Sequence, residues 1–254
     1  MLRTRVIPCL LLKGNGLVKT VQFKNPTYVG DPINTIKIFN DKEVDELVFL
    51  DITATSEKRG PNFKLLSEIS TECFMPLGYG GGITTLNEIE KLFNLGIEKV
   101  ILNSSAFIDH KLLKESIQIF GNQSVILSMD VKKHWLSRKQ TVYIMNGQKN
   151  TGVAASDYAK QMEDLGVGEI IVNSIDQDGT MSGYDLSLIK SIADLVKIPI
   201  VALGGAGTID DLIDVKKAGA SAVGAGSFFI FQKKHRAVLI TYPSKDEMAR
   251  INNG

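Results

Sequence analysis

The sequence predicts a (β/α)8 barrel assembled from two similar halves. One segment, PLGYGGGITTLNEIEKLFNLGIEKVILNSSA (Pro76 to Ala106), recurs as PIVALGGAGTIDDLIDVKKAGASAVGAGSF (Pro199 to Phe228), and ELVFLDI (46–52) recurs as EIIVNSI (169–175). A supersecondary unit used twice implies an array of like parts. Short apolar runs also alternate with amphipathic segments along the chain, the pattern of a parallel sheet with crossover helices. The length, 254 residues, suits one such barrel, so residues 1–254 read as a single domain. A doubly wound open sheet would explain the alternation but not the repeat.

Eight runs read as strands: 5–12, 46–51, 75–79, 99–103, 124–130, 169–174, 198–203 and 221–226. Helical patterns lie between them, including Asp31 to Glu43, Thr84 to Gly96, Ala154 to Gly166 and Thr208 to Gly219. Thr or Asp stands near their starts, and Gly closes three of them. The end of the chain is the least regular helix candidate, because its centre is β-like and is broken by Pro243. Residues 132–150 follow the fifth strand and contain TVYIMNGQ, a short hairpin ending in Asn-Gly. In a barrel this is an enlarged loop on the face that carries function, and its basic residues read as a solvated surface.

With 29 basic and 28 acidic residues the formal charge is +1, which offers no long-range attraction for nucleic acid or acidic membranes. No apolar run reaches the roughly 20 residues needed to span a bilayer, and residues 1–6 lead into a strand, so a cytoplasmic location is expected. Cys9 and Cys73 sit in apolar stretches and read as small buried hydrophobes. His110, His134 and His235 lack metal-ligand spacing, so neither metal nor cofactor is expected.

Chemistry in a barrel sits where strands end. GGGIT (Gly80 to Thr84) follows the third strand and GGAGT (Gly204 to Thr208) the seventh; NSS (Asn103 to Ser105) follows the fourth and Gly226-Ser227 the eighth. Glycines at helix entrances let backbone N–H groups approach an anion. Two such pairs in symmetric register point to two phosphate cradles and to a ligand with phosphate at both ends.

These runs, with DELVFLDITAT (Asp45 to Thr55), FGNQSVILSMDVKK (Phe120 to Lys133), NTGVAASDYAK (Asn150 to Lys160) and SIDQDGTMSGYD (Ser174 to Asp185), resemble the cyclase subunit of imidazole glycerol phosphate synthase. The resemblance runs to about Phe229. It implies a barrel that receives ammonia from a separate glutaminase subunit at its bottom face and uses it at the top. There the bisphosphate PRFAR is cleaved and cyclised to imidazole glycerol phosphate and an aminoimidazole carboxamide ribotide.

Carried over residue by residue, the resemblance makes Asp130 one of two catalytic carboxylates. It gives Gly82, Asn103 and Ser104 to one phosphate site, and Asp178, Gly179, Gly205, Gly226 and Ser227 to the other. Lys19 becomes a lysine of a mobile lid after the first strand. Arg5, Glu46, Lys99 and Glu169, at the starts of four strands, correspond to a salt-bridged gate through which ammonia enters. Two cations and two anions can neutralise one another in such a mouth; a solvent-exposed charged ring is the plainer alternative.

The main departure is Leu11, which stands where the family has its other catalytic aspartate. The repeat agrees, since Leu11 holds the place in the first strand that Asp130 holds in the fifth. Leu203 stands where a serine is usual and Tyr79 where a small residue is usual, so a more apolar pocket is expected. Two readings follow. One is a cyclase subunit working without its second aspartate. The other resembles diverged cyclase-like paralogues that pair with a glutaminase and pass ammonia to a sugar amidotransferase in surface-polysaccharide synthesis. A noncatalytic scaffold would have lost its gate and its glycines too, and a phosphosugar isomerase of the related half-barrel family would also need an aspartate at position 11.

Overall fold

A computed structural model of the chain describes residues 3–232 and 237–254. The strands are β1 (Arg5–Lys13), β2 (Gly16–Val21), β3 (Lys24–Gly30), β4 (Leu47–Asp51), β5 (Leu77–Gly80), β6 (Lys99–Leu102), β7 (Val125–Lys133), β8 (Gln140–Ile144), β9 (Lys149–Ala154), β10 (Ile170–Ser174), β11 (Ile200–Leu203), β12 (Ala222–Ala225), β13 (Phe231–Gln232) and β14 (Ala237–Val238). The helices are α1 (Pro32–Asp41), α2 (Phe63–Glu72), α3 (Leu86–Asn94), α4 (Ser104–Ile108), α5 (His110–Phe120), α6 (Ala155–Asp164), α7 (Leu186–Ala193), α8 (Ile209–Lys217), α9 (Ser227–Ile230) and α10 (Lys245–Asn253).

Eight parallel strands close in the order β10, β11, β12, β1, β4, β5, β6, β7, with β7 returning to β10. This is the (β/α)8 barrel expected from the sequence, and its strands are the eight apolar runs. The half-barrel repeat persists in detail. Thr85 and Glu88 form a capping box at α3, and Thr208 and Asp211 form its counterpart at α8. Each box satisfies helix N–H groups that would otherwise lack partners. Short helices α4 and α9 likewise follow the fourth and eighth barrel strands.

Alternation along each strand sorts the core into two sets. Val6, Leu10, Leu47, Phe49, Val100 and Leu127 pack outward against the helices. Ile7, Val48, Ile101, Ile126, Ile171, Val201 and Ala222 pack inward as a separate apolar cluster that fills the lumen. Tyr79 belongs to the outward set, which corrects its expected place in the pocket. Gly78 and Gly80 are the residues of β5 whose missing side chains face the lumen, beside Val48, Leu50 and Ile101. The Tyr79 hydroxyl donates to the Gly81 carbonyl at 3.0 Å.

Two antiparallel extensions rise from the top. β2 and β3 form a hairpin on β1, and β8 and β9 continue from β7, where the enlarged loop was expected. Leu239 and Thr241 donate backbone bonds to Ile230 and Phe229, and Tyr242 stacks on Phe229. The Tyr242 hydroxyl then donates to the Val6 carbonyl at 2.8 Å, at the lower end of β1. α10 is held there as Asn252 Oδ1 accepts from Thr4 N (2.8 Å) and Lys216 Nζ donates to the carbonyls of Ile251 and Asn252. Residues 233–236, His235 among them, lie outside the described residues.

Candidate active site

At the bottom of the lumen, Arg5, Glu46, Lys99 and Glu169 form a closed ring. Arg5 donates to Glu46 at 2.5 Å and also to Glu169. Lys99 Nζ lies 2.8 Å from Glu46 Oε2 and 3.2 Å from Glu169 Oε2. Glu46 and Glu169 are buried, so each carboxylate depends on its two cations for the solvation it has lost. Burial lowers the affinity of Arg5 for its proton, but the bonds to Glu169 and the charge of Glu46 outweigh it and raise the pKa. Above this ring comes the apolar layer of the lumen, and above that a cavity of about 660 Å³ at the strand ends.

Asp130 is the central titratable group of the cavity. It ends the inward-facing row of β7 and is 8% exposed. Burial pushes its pKa up to about 7, against the opposing effect of two side-chain amides. Asn173 Nδ2 donates to Oδ1 at 3.2 Å, and Asn103 Nδ2 to Oδ2 at 2.9 Å. A carboxyl that titrates near neutrality can both take and return a proton at working pH.

Leu11 lines the same cavity, with Cys9, Leu50 and Leu203. The mouth is therefore two-sided. Asn103, Ser128, Asp130 and Asn173, on three adjacent barrel strands, make a polar wall, and Leu11 with Cys9, Leu50 and Leu203 makes an apolar one on the other side. Cys9 is a buried thiol, pushed up to about 12 by burial, whereas Cys73 is only half-buried at the end of α2.

Gly82, Asn103 and Ser104 all line the cavity, with Gly80, Gly81 and Ser105. Gly82 has φ 72°, and a Cβ there would lie 2.5 Å from the Arg59 carbonyl, so close backbone approach already requires glycine. Ser104 Oγ accepts from Met145 N at 2.9 Å, which seats the turn between β8 and β9 over this end. At the opposite end Gly226, Asp178 and Lys19 line the cavity, while Gly179, Gly205 and Ser227 are not part of its lining. Gly205 packs on the Gly183 carbonyl and Gly179 on that of Thr20, so these two glycines shape the loops behind the site.

Lys19 reaches down from the β2–β3 hairpin and is buried, its Nζ donating to the Cys9 carbonyl at 2.7 Å. Burial lowers its pKa to about 8, with the charge of Asp178 working against that fall. Asp178 is itself raised by burial and opposed by Lys19 and Thr20. Thr20 Oγ1 donates to Asp178 Oδ2 at 3.0 Å and Gln22 N to the Asp178 carbonyl at 2.8 Å, so the hairpin lies closed on the loop after β10.

Three features escaped the sequence reading. Asp51, at the end of β4, is buried and receives both guanidinium nitrogens of Arg59, at 2.7 and 3.0 Å. An aspartate closing the strand ELVFLD was the available signal. Asn173 had no signal beyond its place at a strand end. Phe23 and Met145, which complete the cavity wall from the two hairpins, had none.

Among the described residues no His, Cys, Asp or Glu side chains cluster as a metal site, and no helix is long and apolar enough to cross a membrane. The site belongs to a (β/α)8 barrel with glycine-lined ends on either side of the buried Asp130 carboxyl. Residues 5–235 match the family model described as histidine biosynthesis protein. A relative from Pseudomonas aeruginosa, provisionally named imidazole glycerol phosphate synthase subunit hisF2, is 51% identical over 98% of this chain and 99% of its own length. A provisionally named HisF subunit from Leptospira borgpetersenii is 47% identical over 96% of both chains, and a hisF3 subunit from Vibrio vulnificus, also provisional, is 46% identical over 97% and 95%. The chain belongs to the histidine biosynthesis protein family, and within it to the HisF type in its diverged form.

Proposed function

We propose that this chain is the cyclase-type subunit of an imidazole glycerol phosphate synthase, which takes ammonia from a separate glutaminase at its lower face and uses it at a bisphosphate site in the upper mouth. The observation that carries this reading is Asp130, clamped by Asn103 and Asn173 between two glycine-lined ends, above an apolar lumen closed below by an ion-pair ring. Neutral ammonia is small enough to pass among aliphatic side chains, while ammonium pays a large desolvation cost there. The aliphatic lumen above the ring therefore passes the neutral form and holds back ammonium.

In the mouth, the cradle around Gly82 and Ser104 takes one phosphate, and Lys19 with Gly226 takes the other. The substrate is then stretched past Asp130, which moves protons during ring closure. With Leu11 opposite, the second proton transfer has no carboxylate. A general acid or base contributes on the order of 100 to 10,000-fold, so turnover is correspondingly slow.

Leu11 favours a second reading, in which the barrel conducts ammonia to a sugar amidotransferase and no longer completes cyclisation. Both readings need the lower face to bind a glutaminase. Mixing the chain with a HisH-type glutaminase subunit tests this shared part: a 1:1 complex with stimulated glutamine hydrolysis is expected, and no association would remove both.

A further inference from the structure

Ser128 carries an uncommitted hydroxyl at the floor of the cavity. It is 7% exposed and lines the cavity, and its Oγ has no hydrogen-bond partner among the described residues. Its companions in the polar wall differ. Asn103 and Asn173 both donate to Asp130, and Asn103 Oδ1 accepts from Ser104. Asn173 Oδ1 is unpaired too, but it is sealed from the cavity. A hydroxyl both donates and accepts, so Ser128 keeps both capacities for a ligand that enters the cavity. A largely buried polar group without a partner in the protein calls for one.

The location narrows that ligand. Ser128 stands on the inward row of β7 between Ile126 and Asp130, and pairs in register with Ile171 of β10. Ile126 and Ile171 both belong to the apolar cluster of the lumen. Cys9, Leu50, Ile101 and Leu203 belong to that cluster or pack on it, and they also line the cavity, so the lumen and the cavity meet at this depth. A molecule rising through the lumen beside β7 therefore reaches the Ser128 hydroxyl before it reaches the Asp130 carboxyl. A bisphosphate held by the glycine-lined ends spans the strand ends above. One neutral hydroxyl among aliphatic side chains suits a small neutral molecule with N–H donors and a lone pair, and it offers nothing to offset the desolvation of a cation.

We infer that the Ser128 hydroxyl receives ammonia where the lumen opens into the cavity and holds its nitrogen beneath Asp130, which makes Ser128 a binding residue for ammonia. The inference rests on the passage of ammonia through the lumen, which both readings above share. The hydroxyl donates to the lone pair of the arriving molecule, and it can turn to accept an N–H instead, which frees the lone pair for a substrate seated above.

Two measurements test it. Crystals soaked in hydroxylamine at pH 8 give a direct view of the site, because this probe is small and neutral there and its two-atom density differs from that of a water molecule. Such density is expected within hydrogen-bonding range of Ser128 Oγ, and it should be lost in Ser128→Ala. No such density, or density that stays in place in Ser128→Ala, would overturn the site. In turnover driven by ammonium salt, Ser128→Ala should raise the KM for ammonium about fivefold, the loss of one neutral hydrogen bond, with kcat and the KM for the bisphosphate within about twofold. An unchanged KM for ammonium, or an equal rise in both KM values, would overturn the assignment. Density without turnover in the unaltered chain would keep the site and remove the cyclase reading, whereas turnover without density would remove the site alone.

Discussion

Arg5 and Lys99 share both of their partners, each bridging Glu46 and Glu169 across the lower lumen. Removing either cation leaves two buried carboxylates facing one positive charge. Lys99→Ala should therefore loosen the ring without emptying it of charge. In the complex with a glutaminase, glutamine hydrolysed per product formed should rise several-fold as ammonia escapes to solvent or water enters. Stability should fall by roughly 2–4 kcal/mol, somewhat less than the breaking of a fully buried pair because Lys99 is partly exposed. Unchanged coupling would dismiss the gate role of this ring.

Leu11→Asp should restore the missing proton-transfer group. Leu11 lines the cavity that Asp130 shares, and its place in β1 matches that of Asp130 in β7. The expected outcome is a gain in ammonia-driven cyclisation on the order of 100-fold. An unchanged rate in a folded variant that still binds the bisphosphate would refute the role given to position 11.

Asp130→Asn should stabilise the protein at high pH and not at low pH. Burial holds the pKa of Asp130 near 7, above the 3.8 of an unburied aspartate, so the fold prefers the protonated form. Its cost is absent below about pH 4, grows as pH rises toward 7, and is constant above that. Denaturant unfolding should show a gain on the order of 1–4 kcal/mol at pH 8 and none at pH 4. The same change at both pH values would contradict burial as the cause.

Gly226→Ala should expel Lys19 from the mouth. Gly226 has an ordinary backbone conformation, yet a Cβ there would sit 2.0 Å from Lys19 Nζ. The chain should fold normally while bisphosphate binding weakens at least tenfold, roughly the loss of one charge-assisted hydrogen bond. Lys19→Met should cost about as much, and the double variant no more than either. In the unaltered chain binding should weaken as pH rises through about 8, where Lys19 loses its charge. Additive losses would separate the two residues.

The barrel was legible because aliphatic runs such as Val125 to Leu127 and Ile170 to Val172 repeat with the spacing of parallel strands, and because the glycine-rich ends occur twice. The four lower charges were legible for a similar reason, each opening a strand. Tyr79 was not: in Leu-Gly-Tyr-Gly no apolar alternation tells the two faces apart, and only the neighbours of Gly78 and Gly80 do. The Asp51–Arg59 pair depends on a loop folding back across the rim, and the unpaired oxygen of Asn173 depends on which amide atom meets Asp130. Neither relation has a signature in residue order. The closed hairpins over the cavity join residues far apart in the chain, Thr20 to Asp178 and Ser104 to Met145.

The most direct test of the whole account is incubation of the purified chain with PRFAR and saturating ammonium salt, which removes the need for a glutaminase. The account predicts formation of imidazole glycerol phosphate, at a rate below the ~1 per second usual for enzymes because Leu11 has replaced a proton-transfer group. No product, with PRFAR still bound at the mouth, would contradict it and leave the barrel as an ammonia conduit for another enzyme.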